Sequence, residues 1–184
     1  QIVGFYRRNS IFLSTGAKQS LQTNRSIEEY NLIKASGLDI KVPQKIEYYE
    51  NNDNVKYFYN LPKDFILCNP GGGNIYADVE NRAWPIDKYA ELIDKSMHTF
   101  VLLGFGSNDL QRAKILEKQC NKKFINLVGK TNFDEVNDLL LRAKLYIGND
   151  SSLMFLAASS KCKSLILFGP TQESAALPIG FTGE

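Results

Sequence analysis

Histidine and cysteine are scarce in this sequence of 184 residues. The only histidine is His98, so metal sites and catalytic arrangements that need two histidines are excluded within this chain. The three cysteines, Cys68, Cys120 and Cys162, are odd in number and far apart, which fits neither a disulfide framework nor a zinc-ligand pattern. This cysteine usage predicts a protein of the reducing cytoplasm.

Long hydrophobic runs and an excess of one charge are also missing. No apolar run approaches the roughly 20 residues that span a bilayer, and no basic segment precedes an apolar one as in a signal peptide. The net charge is only +2, which disfavours nucleic acid as a partner. We therefore expect no transmembrane segment and no nucleic-acid binding. A hydrophobic fraction of 43% is ordinary for a globular protein with a core.

The first part of the chain, residues 1–60, is polar and only partly periodic. Ile2–Tyr6 is predicted as a strand. Ser26, with Glu29 three residues later, forms a capping-box pattern that predicts a helix at 27–36. One strand and one helix cannot bury their apolar faces alone. Since the sequence opens on Gln rather than Met, we expect residues 1–60 to be the remnant of an N-terminal domain and its linker helix.

The second part, residues 61–184, alternates short apolar runs with amphipathic stretches. Such alternation predicts an α/β domain, a Rossmann-like parallel sheet with helices on both faces. We expect this domain to be truncated at its C-terminal end. The predicted strands are 65–68, 100–103, 124–127, 145–147 and 164–168, and the predicted helices begin at Pro85, near Asn108, after a cap at Thr131, and at Leu153.

The connection that follows the first of these strands is long and rich in glycine. Ligands of open α/β sheets bind beyond the carboxyl ends of the strands, and a loop of about 15 residues is usually functional or disordered. Gly71 and Gly72 would let the backbone approach a ligand. Arg82 ends the loop, either as a phosphate ligand or as a solvated cation.

Polar residues also follow the later strands. Asp109 falls in the first turn of a predicted helix, where it either offsets the helix dipole or accepts hydrogen bonds from a ribose. Asp150, Ser151 and Ser152 open directly into another helix, whose free N–H groups form an anion site and which Asp150 or Ser151 could also cap. Thr171 follows the last strand. These residues predict a phosphate-containing ligand.

Three motifs of common α/β enzymes are absent. The sequence has no GxGxxG, no GxxxxGK[ST] and no GxSxG. Their absence disfavours a dinucleotide-dependent dehydrogenase, a P-loop NTPase and a hydrolase with a nucleophile elbow.

Five motifs nevertheless occur in a recognisable order. They are Arg82-Ala83-Trp84-Pro85; Leu103-Gly104 with Gly106 and Asp109; Leu127-Val128-Gly129-Lys130-Thr131; Gly148-Asn149-Asp150-Ser151; and Leu167-Phe168-Gly169-Pro170-Thr171. Together they resemble glycosyltransferase family 9, the ADP-heptose:lipopolysaccharide heptosyltransferases, over residues 61–180. The resemblance implies the C-terminal half of a GT-B fold, in which this half holds the nucleotide sugar and the N-terminal domain supplies the acceptor site and the general base.

The resemblance also implies roles for individual residues. Arg82 matches a basic residue that contacts the donor phosphates, and Asp109 matches an acid that contacts the ribose. Asp150, Ser151 and Ser152 match a segment whose amides hold the diphosphate. The remaining donor-binding candidates are Gly71 and Gly72, Leu127 and Gly129 near the adenine, and Thr171. No metal and no cofactor beyond the substrate, ADP-heptose, is expected.

Two positions depart from the family pattern: Ser152 stands where the family has glycine, and Phe155 where it has histidine. A different sugar donor is therefore an alternative, as are a non-catalytic sugar-nucleotide-binding domain and a GT-B-like sugar-nucleotide epimerase. The expected reaction is inverting transfer of heptose to a lipopolysaccharide-core glycolipid, in the cytoplasm or at the inner face of the inner membrane. We expect residues 1–184 alone to be inactive, because the acceptor domain is almost absent from them.

Overall fold

The computed structural model describes residues 3–5, 15–17, 23–42, 60–72 and 82–181. These residues fall into two compact units, of which one contains the described part of 1–46 together with 172–181. The predicted domain boundary between residues 60 and 61 stays a prediction. None of the helices in the described ranges is long and apolar enough to cross a membrane.

The first unit pairs two short parallel strands, β1 (Val3–Phe5) and β2 (Thr15–Ala17), and contains helix α1 (Arg25–Ala35). The sequence predicted β1 but not β2; Ile2 and Tyr6, the ends of the predicted strand, lie outside the described residues. The predicted cap at Ser26 is wrong. Asn24 caps α1 instead, because its side-chain oxygen accepts the N–H of Ser26 at 3.0 Å and the helix starts earlier.

The second unit is built on five parallel strands in the order β5-β4-β3-β6-β7. All five strands were predicted, each within about two residues of its observed ends. Their bounds are β3 (Phe65–Asn69), β4 (Thr99–Leu102), β5 (Ile125–Asn126), β6 (Leu145–Asn149) and β7 (Ser164–Leu167). The helices between them are α2 (Ile86–Lys95), α3 (Ser107–Gln119), α4 (Phe133–Arg142) and α5 (Ser152–Ser159). A short last helix, α6 (Glu173–Ala176), belongs to the first unit.

The helices pack on the sheet through the faces that the apolar spacing predicted. On α2, Tyr89, Ala90 and Ile93 are buried against the core that β3 and β4 form. The predicted cap of α4 at Thr131 is wrong by one residue. Asn132 caps that helix, because it forms a reciprocal capping box with Glu135 at 2.9 and 2.8 Å.

The strand order creates a topological switch point between β3 and β6. From β3 the chain builds outward through β4 to β5, then returns to place β6 on the other side of β3 and continues to β7. Because parallel crossovers are right-handed, α2 and α3 cover one face of the sheet and α4 and α5 the other. The predicted Rossmann-like fold class is confirmed. The loops that follow β3 and β6 run in opposite directions, and a crevice therefore opens at the carboxyl ends of these two strands.

Candidate functional site at the carboxyl ends of the strands

A cleft of about 510 Å³ opens at the switch point. Its walls come from the segments that follow β3, β4, β5 and β6, which places it at the edge that the sequence predicted for a ligand. It is lined by Asn69, Gly72, Gly104, Phe105, Gly106, Ser107, Asn108, Asp109, Thr131, Asn132, Phe133, Val136, Ser151, Ser152, Leu153 and Leu156.

A buried amide, Asn149, holds the loops beneath the cleft together. It ends β6 and is 1% exposed. Its Oδ1 accepts from the backbone N–H of Trp84 at 3.0 Å and from the hydroxyl of Tyr89 at 3.1 Å. Its Nδ2 donates to the carbonyls of Pro70, at 3.2 Å, and Gly71. One side chain therefore fixes both ends of the loop that joins β3 to α2.

Two further polar residues complete this support. Asn69, the last residue of β3, donates to the carbonyl of Leu103 at 3.0 Å and accepts from the Ser151 hydroxyl at 3.4 Å. Arg112 on α3 donates to the carbonyls of Pro70 and Trp84, each at 2.6 Å. Sequence analysis missed Asn69, Asn149 and Arg112 as site residues. The available signal was an asparagine at the end of each of two otherwise apolar central strands.

Asp109 is buried rather than displayed on the helix surface, with 9% of its area exposed. Its Oδ2 accepts from the Phe105 N–H at 2.9 Å and lies 3.4 Å from the Asn69 amide nitrogen. Burial raises the pKa of the Asp109 carboxyl, an effect that the hydrogen bonds from Phe105 and Asn69 and the charge of Arg112 oppose. The carboxylate thus fixes the β4–α3 loop at the wall of the cleft, a role that neither predicted alternative included.

This raised pKa predicts how the stability of the chain changes with pH. Because the folded chain binds this proton more tightly than the unfolded chain, the stabilising contribution is complete below about pH 3.9 and disappears as the pH rises through the folded-state value. As the pH rises from about 3.9, the wild type should therefore lose unfolding free energy relative to Asp109→Asn. Urea titrations at several pH values measure this difference. The assignment would be contradicted if Asp109→Asn instead lost unfolding free energy relative to the wild type as the pH rises.

Two adjacent glycines of the β3–α2 loop differ sharply in the space around them. A Cβ on Gly71 would collide with the carboxylate of Asp109, whereas a Cβ on Gly72 would meet the Cβ atoms of Ala83 and Asn149 at 3.4 Å, an ordinary contact. Gly71→Ala should cost about 1–3 kcal/mol of unfolding free energy through overpacking. Gly72→Ala should cost clearly less unfolding free energy, because its added Cβ meets only ordinary contacts. Urea unfolding measures both losses. Equal losses of unfolding free energy would show that the collision with Asp109 does not destabilise Gly71→Ala.

Two predicted site residues form an ion pair beside the cleft. The Nη2 of Arg82 lies 2.8 Å from Oδ2 of Asp150, and their side chains are 26% and 16% exposed. The alternative that Arg82 is a solvated cation is therefore wrong. Asp150 directly precedes Ser151 and Ser152, so the pair fixes a guanidinium next to the start of α5.

The start of α5 faces the cleft with both of its serines. Ser151 occupies the N-cap position without making a side-chain capping bond, and Ser152 is the first helical residue. Capping of α5 by the Ser151 side chain is therefore wrong, since its hydroxyl bonds to Asn69. The first N–H groups of the helix lack partners within the helix and carry its positive dipole end. The arrangement can hold an anionic group.

Three other predicted residues lie elsewhere. Leu127 is 5% exposed and its N–H donates to the carbonyl of Leu102, while Gly129 donates to the carbonyl of Gly104 at 2.9 Å. Neither these two nor Thr171 is among the described residues that line the cleft. The residues that follow Gly129 in the chain, Thr131–Phe133, line the cleft instead. Within the described ranges, no group of three or more histidine, cysteine, aspartate or glutamate side chains is placed to hold a metal ion.

Comparison with known proteins gives one family. Glycosyltransferase family 9 (heptosyltransferase) matches residues 19–181. Lipopolysaccharide heptosyltransferase 3 of Escherichia coli is 33% identical over 112 residues, which are 58% of this chain and 31% of that protein. Lipooligosaccharide heptosyltransferase 2 of Campylobacter jejuni is 28% identical over 158 residues, 83% of this chain and 46% of that protein. The chain thus spans less than half the length of these relatives.

Solved structures show the same fold. A family 9 glycosyltransferase from Veillonella parvula aligns with a TM-score of 0.70 at 21% identity, over 98% of this chain and 55% of that one. The E. coli heptosyltransferase WaaC with ADP aligns with a TM-score of 0.58 at 20% identity, over 93% of this chain and 52% of that one. These matches confirm the fold class that the resemblance implied.

Proposed function

The chain belongs to glycosyltransferase family 9, the heptosyltransferase family, and we propose that it forms the part of such an enzyme that binds the nucleotide-sugar donor. The donor is ADP-heptose, and the acceptor is a hydroxyl of a lipopolysaccharide-core glycolipid. A related enzyme of the same fold, WaaC, has a structure with ADP, which supports ADP as the nucleotide here.

The observation that carries this proposal is the cleft at the switch point. It brings together a carboxylate, Asp109, and the free amides at the start of α5, at the edge of the sheet where α/β proteins bind nucleotides. The carboxylate suits the hydroxyls of a ribose. The helix start, with Arg82 close to it, suits a diphosphate. These are the chemical needs of a nucleoside diphosphate.

The proposed reaction is an inverting transfer. The acceptor hydroxyl oxygen attacks the anomeric carbon, the bond from that carbon to the phosphate oxygen breaks, and ADP leaves with the bonding electrons. The acceptor proton passes to a carboxylate of the N-terminal domain, for which this chain offers no assignment. The described residues act on the leaving group: Arg82 and the amides at Ser151 and Ser152 stabilise the charge that develops on the diphosphate. Such stabilisation is needed most in the transition state.

Residues Ser152 and Phe155 favour one second candidate, a domain that binds the sugar nucleotide without catalysis. Ser152 lines the cleft where the family has glycine, so its side chain occupies space close to the proposed phosphates. Phe155, at the family's histidine position, is 38% exposed and offers no polar contact. Ser152 thus alters the part of the cleft proposed for the phosphates, whereas Phe155 is not among the described residues that line it.

The test is an assay of the full-length protein that contains this chain, with ADP-heptose and a heptose-deficient lipopolysaccharide acceptor. ADP release together with a heptosylated product supports the transferase. Binding of ADP-heptose without product supports the second candidate, and conversion of the sugar on the intact nucleotide identifies an epimerase. Absence of any ADP-heptose binding would overturn the proposal.

A further inference from the structure

One polar atom in the core of the sheet unit lacks a partner. Among the described residues, the hydroxyl of Tyr146 is the only buried side-chain oxygen or nitrogen that makes no hydrogen bond of normal geometry. Tyr146 lies in β6, a strand that ends at the cleft, and the residue is completely buried. A buried hydroxyl without a partner costs free energy in the folded chain. Its presence in this strand therefore calls for a functional reason.

The ring of Tyr146 extends along β6 toward the cleft. A Cβ on Gly148, two residues later and on the same face of the strand, would collide with the Tyr146 hydroxyl and with the ring carbon that carries it. Gly148 is not among the glycines with a positive φ, so its backbone conformation does not require glycine. The missing side chain instead leaves the space through which the Tyr146 hydroxyl reaches toward the carboxyl end of the strand.

The Tyr146 hydroxyl lies beside Ser151, the residue that precedes α5 at the cleft. Burial raises the pKa of this hydroxyl, an effect that the Ser151 side chain opposes. The hydroxyl therefore stays protonated and can donate a hydrogen bond. Ser151 itself donates to Oδ1 of Asn69 at 3.4 Å, which is long for a hydrogen bond between two oxygens. The Ser151 side chain is thus weakly held, with a potential donor next to it.

We propose that Tyr146 positions Ser151 for the phosphates of the donor by donating a hydrogen bond to the Ser151 Oγ when the nucleotide binds. A serine has one O–H, so Ser151 can donate either to Asn69 or to a phosphate oxygen. When it turns to the phosphate, its Oγ accepts from Tyr146, which fixes the side chain and strengthens the bond that it donates. The inference rests on the proposed function and adds to it a positioning residue that does not itself touch the nucleotide.

Titration calorimetry with ADP, pyrophosphate and adenosine tests the proposal. Tyr146→Phe keeps the buried ring and should weaken the binding of ADP and of pyrophosphate about fivefold, while adenosine binding stays unchanged. Fivefold corresponds to about 1 kcal/mol, the size of one hydrogen bond. Ser151→Ala should weaken the binding of both anions as well. In the Ser151→Ala background, Tyr146→Phe should have no further effect, because the two residues act as one unit.

Urea unfolding of the ligand-free chain gives a readout that separates positioning from structural support. Tyr146→Phe should raise the urea midpoint, because the substitution removes an unpaired buried hydroxyl. Tyr89→Phe is the matched control, because Tyr89 is equally buried but its hydroxyl donates to Oδ1 of Asn149 at 3.1 Å. That variant should lower the midpoint.

The outcomes separate this inference from the proposed function. Unchanged ADP affinity of Tyr146→Phe, or an equal loss of affinity in the Ser151→Ala background, would show that Tyr146 does not act through Ser151. A lower urea midpoint for Tyr146→Phe, or equal losses of ADP and adenosine affinity, would assign the hydroxyl a structural role and also overturn the inference. A wild-type chain that binds neither ADP nor pyrophosphate would overturn the proposed function itself, and this inference with it.

Discussion

Replacement of Asn149 by alanine is expected to lower the unfolding free energy of the sheet unit by about 3–5 kcal/mol. The substitution removes four hydrogen bonds at a 1% exposed position and leaves two groups, the N–H of Trp84 and the carbonyl of Gly71, without a partner. The carbonyl of Pro70 keeps its bond from Arg112, and the hydroxyl of Tyr89 keeps only a long contact of 3.5 Å with the carbonyl of Asn69. Each buried polar group left unsatisfied costs about 1–3 kcal/mol, and relaxation of the loop recovers part of the sum.

Urea unfolding followed by tryptophan fluorescence reports on the sheet unit, because Trp84 is the only tryptophan of the sequence and lies in that unit. Asn126→Ala is the matched control. Its side chain also makes two hydrogen bonds, to Glu117 and to the N–H of Val128, but at a partly exposed position. That variant should lose about 1 kcal/mol or less. Equal losses for the two variants would show that Asn149 does not fix the loops.

Arg82→Ala should weaken ADP binding by about 1–3 kcal/mol, roughly 5- to 150-fold, while adenosine binding stays unchanged. The guanidinium is fixed by Asp150 at 2.8 Å next to the start of α5. Its removal takes away a cation near the proposed phosphates and also leaves the Asp150 carboxylate unneutralised close to them. For the second reason, Arg82→Ala combined with Asp150→Asn should recover part of the lost ADP affinity.

Calorimetry with ADP and adenosine on the same variants measures both effects. Arg142→Ala serves as the control, because Arg142 forms a comparable ion pair with Asp138 on α4, at 3.3 Å, away from the residues that line the cleft. It should bind ADP like the wild type. If Arg82→Ala weakened ADP and adenosine equally, Arg82 would act on the fold of the loop and not on phosphate.

The sheet was predictable because its strands are short, continuous apolar runs that lie between amphipathic helices. Phe65–Asn69 is buried along its whole length, as a central parallel strand must be. The fold class and the edge of the sheet at which the cleft opens follow from that pattern. Strand β2 was not predictable in this way, since Thr15–Ala17 is three residues long and contains a glycine in place of an apolar core residue.

The polar support of the cleft was less predictable, because it depends on contacts between distant parts of the chain. Asn149 and Trp84 are 65 residues apart in sequence, and nothing local marks their hydrogen bond. Asp109 shows the same difficulty: its place in the first turn of a helix suggested the dipole or a ribose, whereas its burial against Gly71 depends on the distant β3–α2 loop. The local capping signal at Thr131 was also misleading, because the next residue, Asn132, forms the capping box of α4.

Hydrogen–deuterium exchange of the chain with and without ADP tests most directly whether the cleft at the switch point binds the nucleotide. We expect ADP to slow exchange of the amides at 104–109 and 151–154, with no change at the opposite end of the sheet, where Met97 and His98 precede β4. Protection confined to segments outside the cleft, or no protection at saturating ADP, would contradict the assignment of this cleft as the donor site.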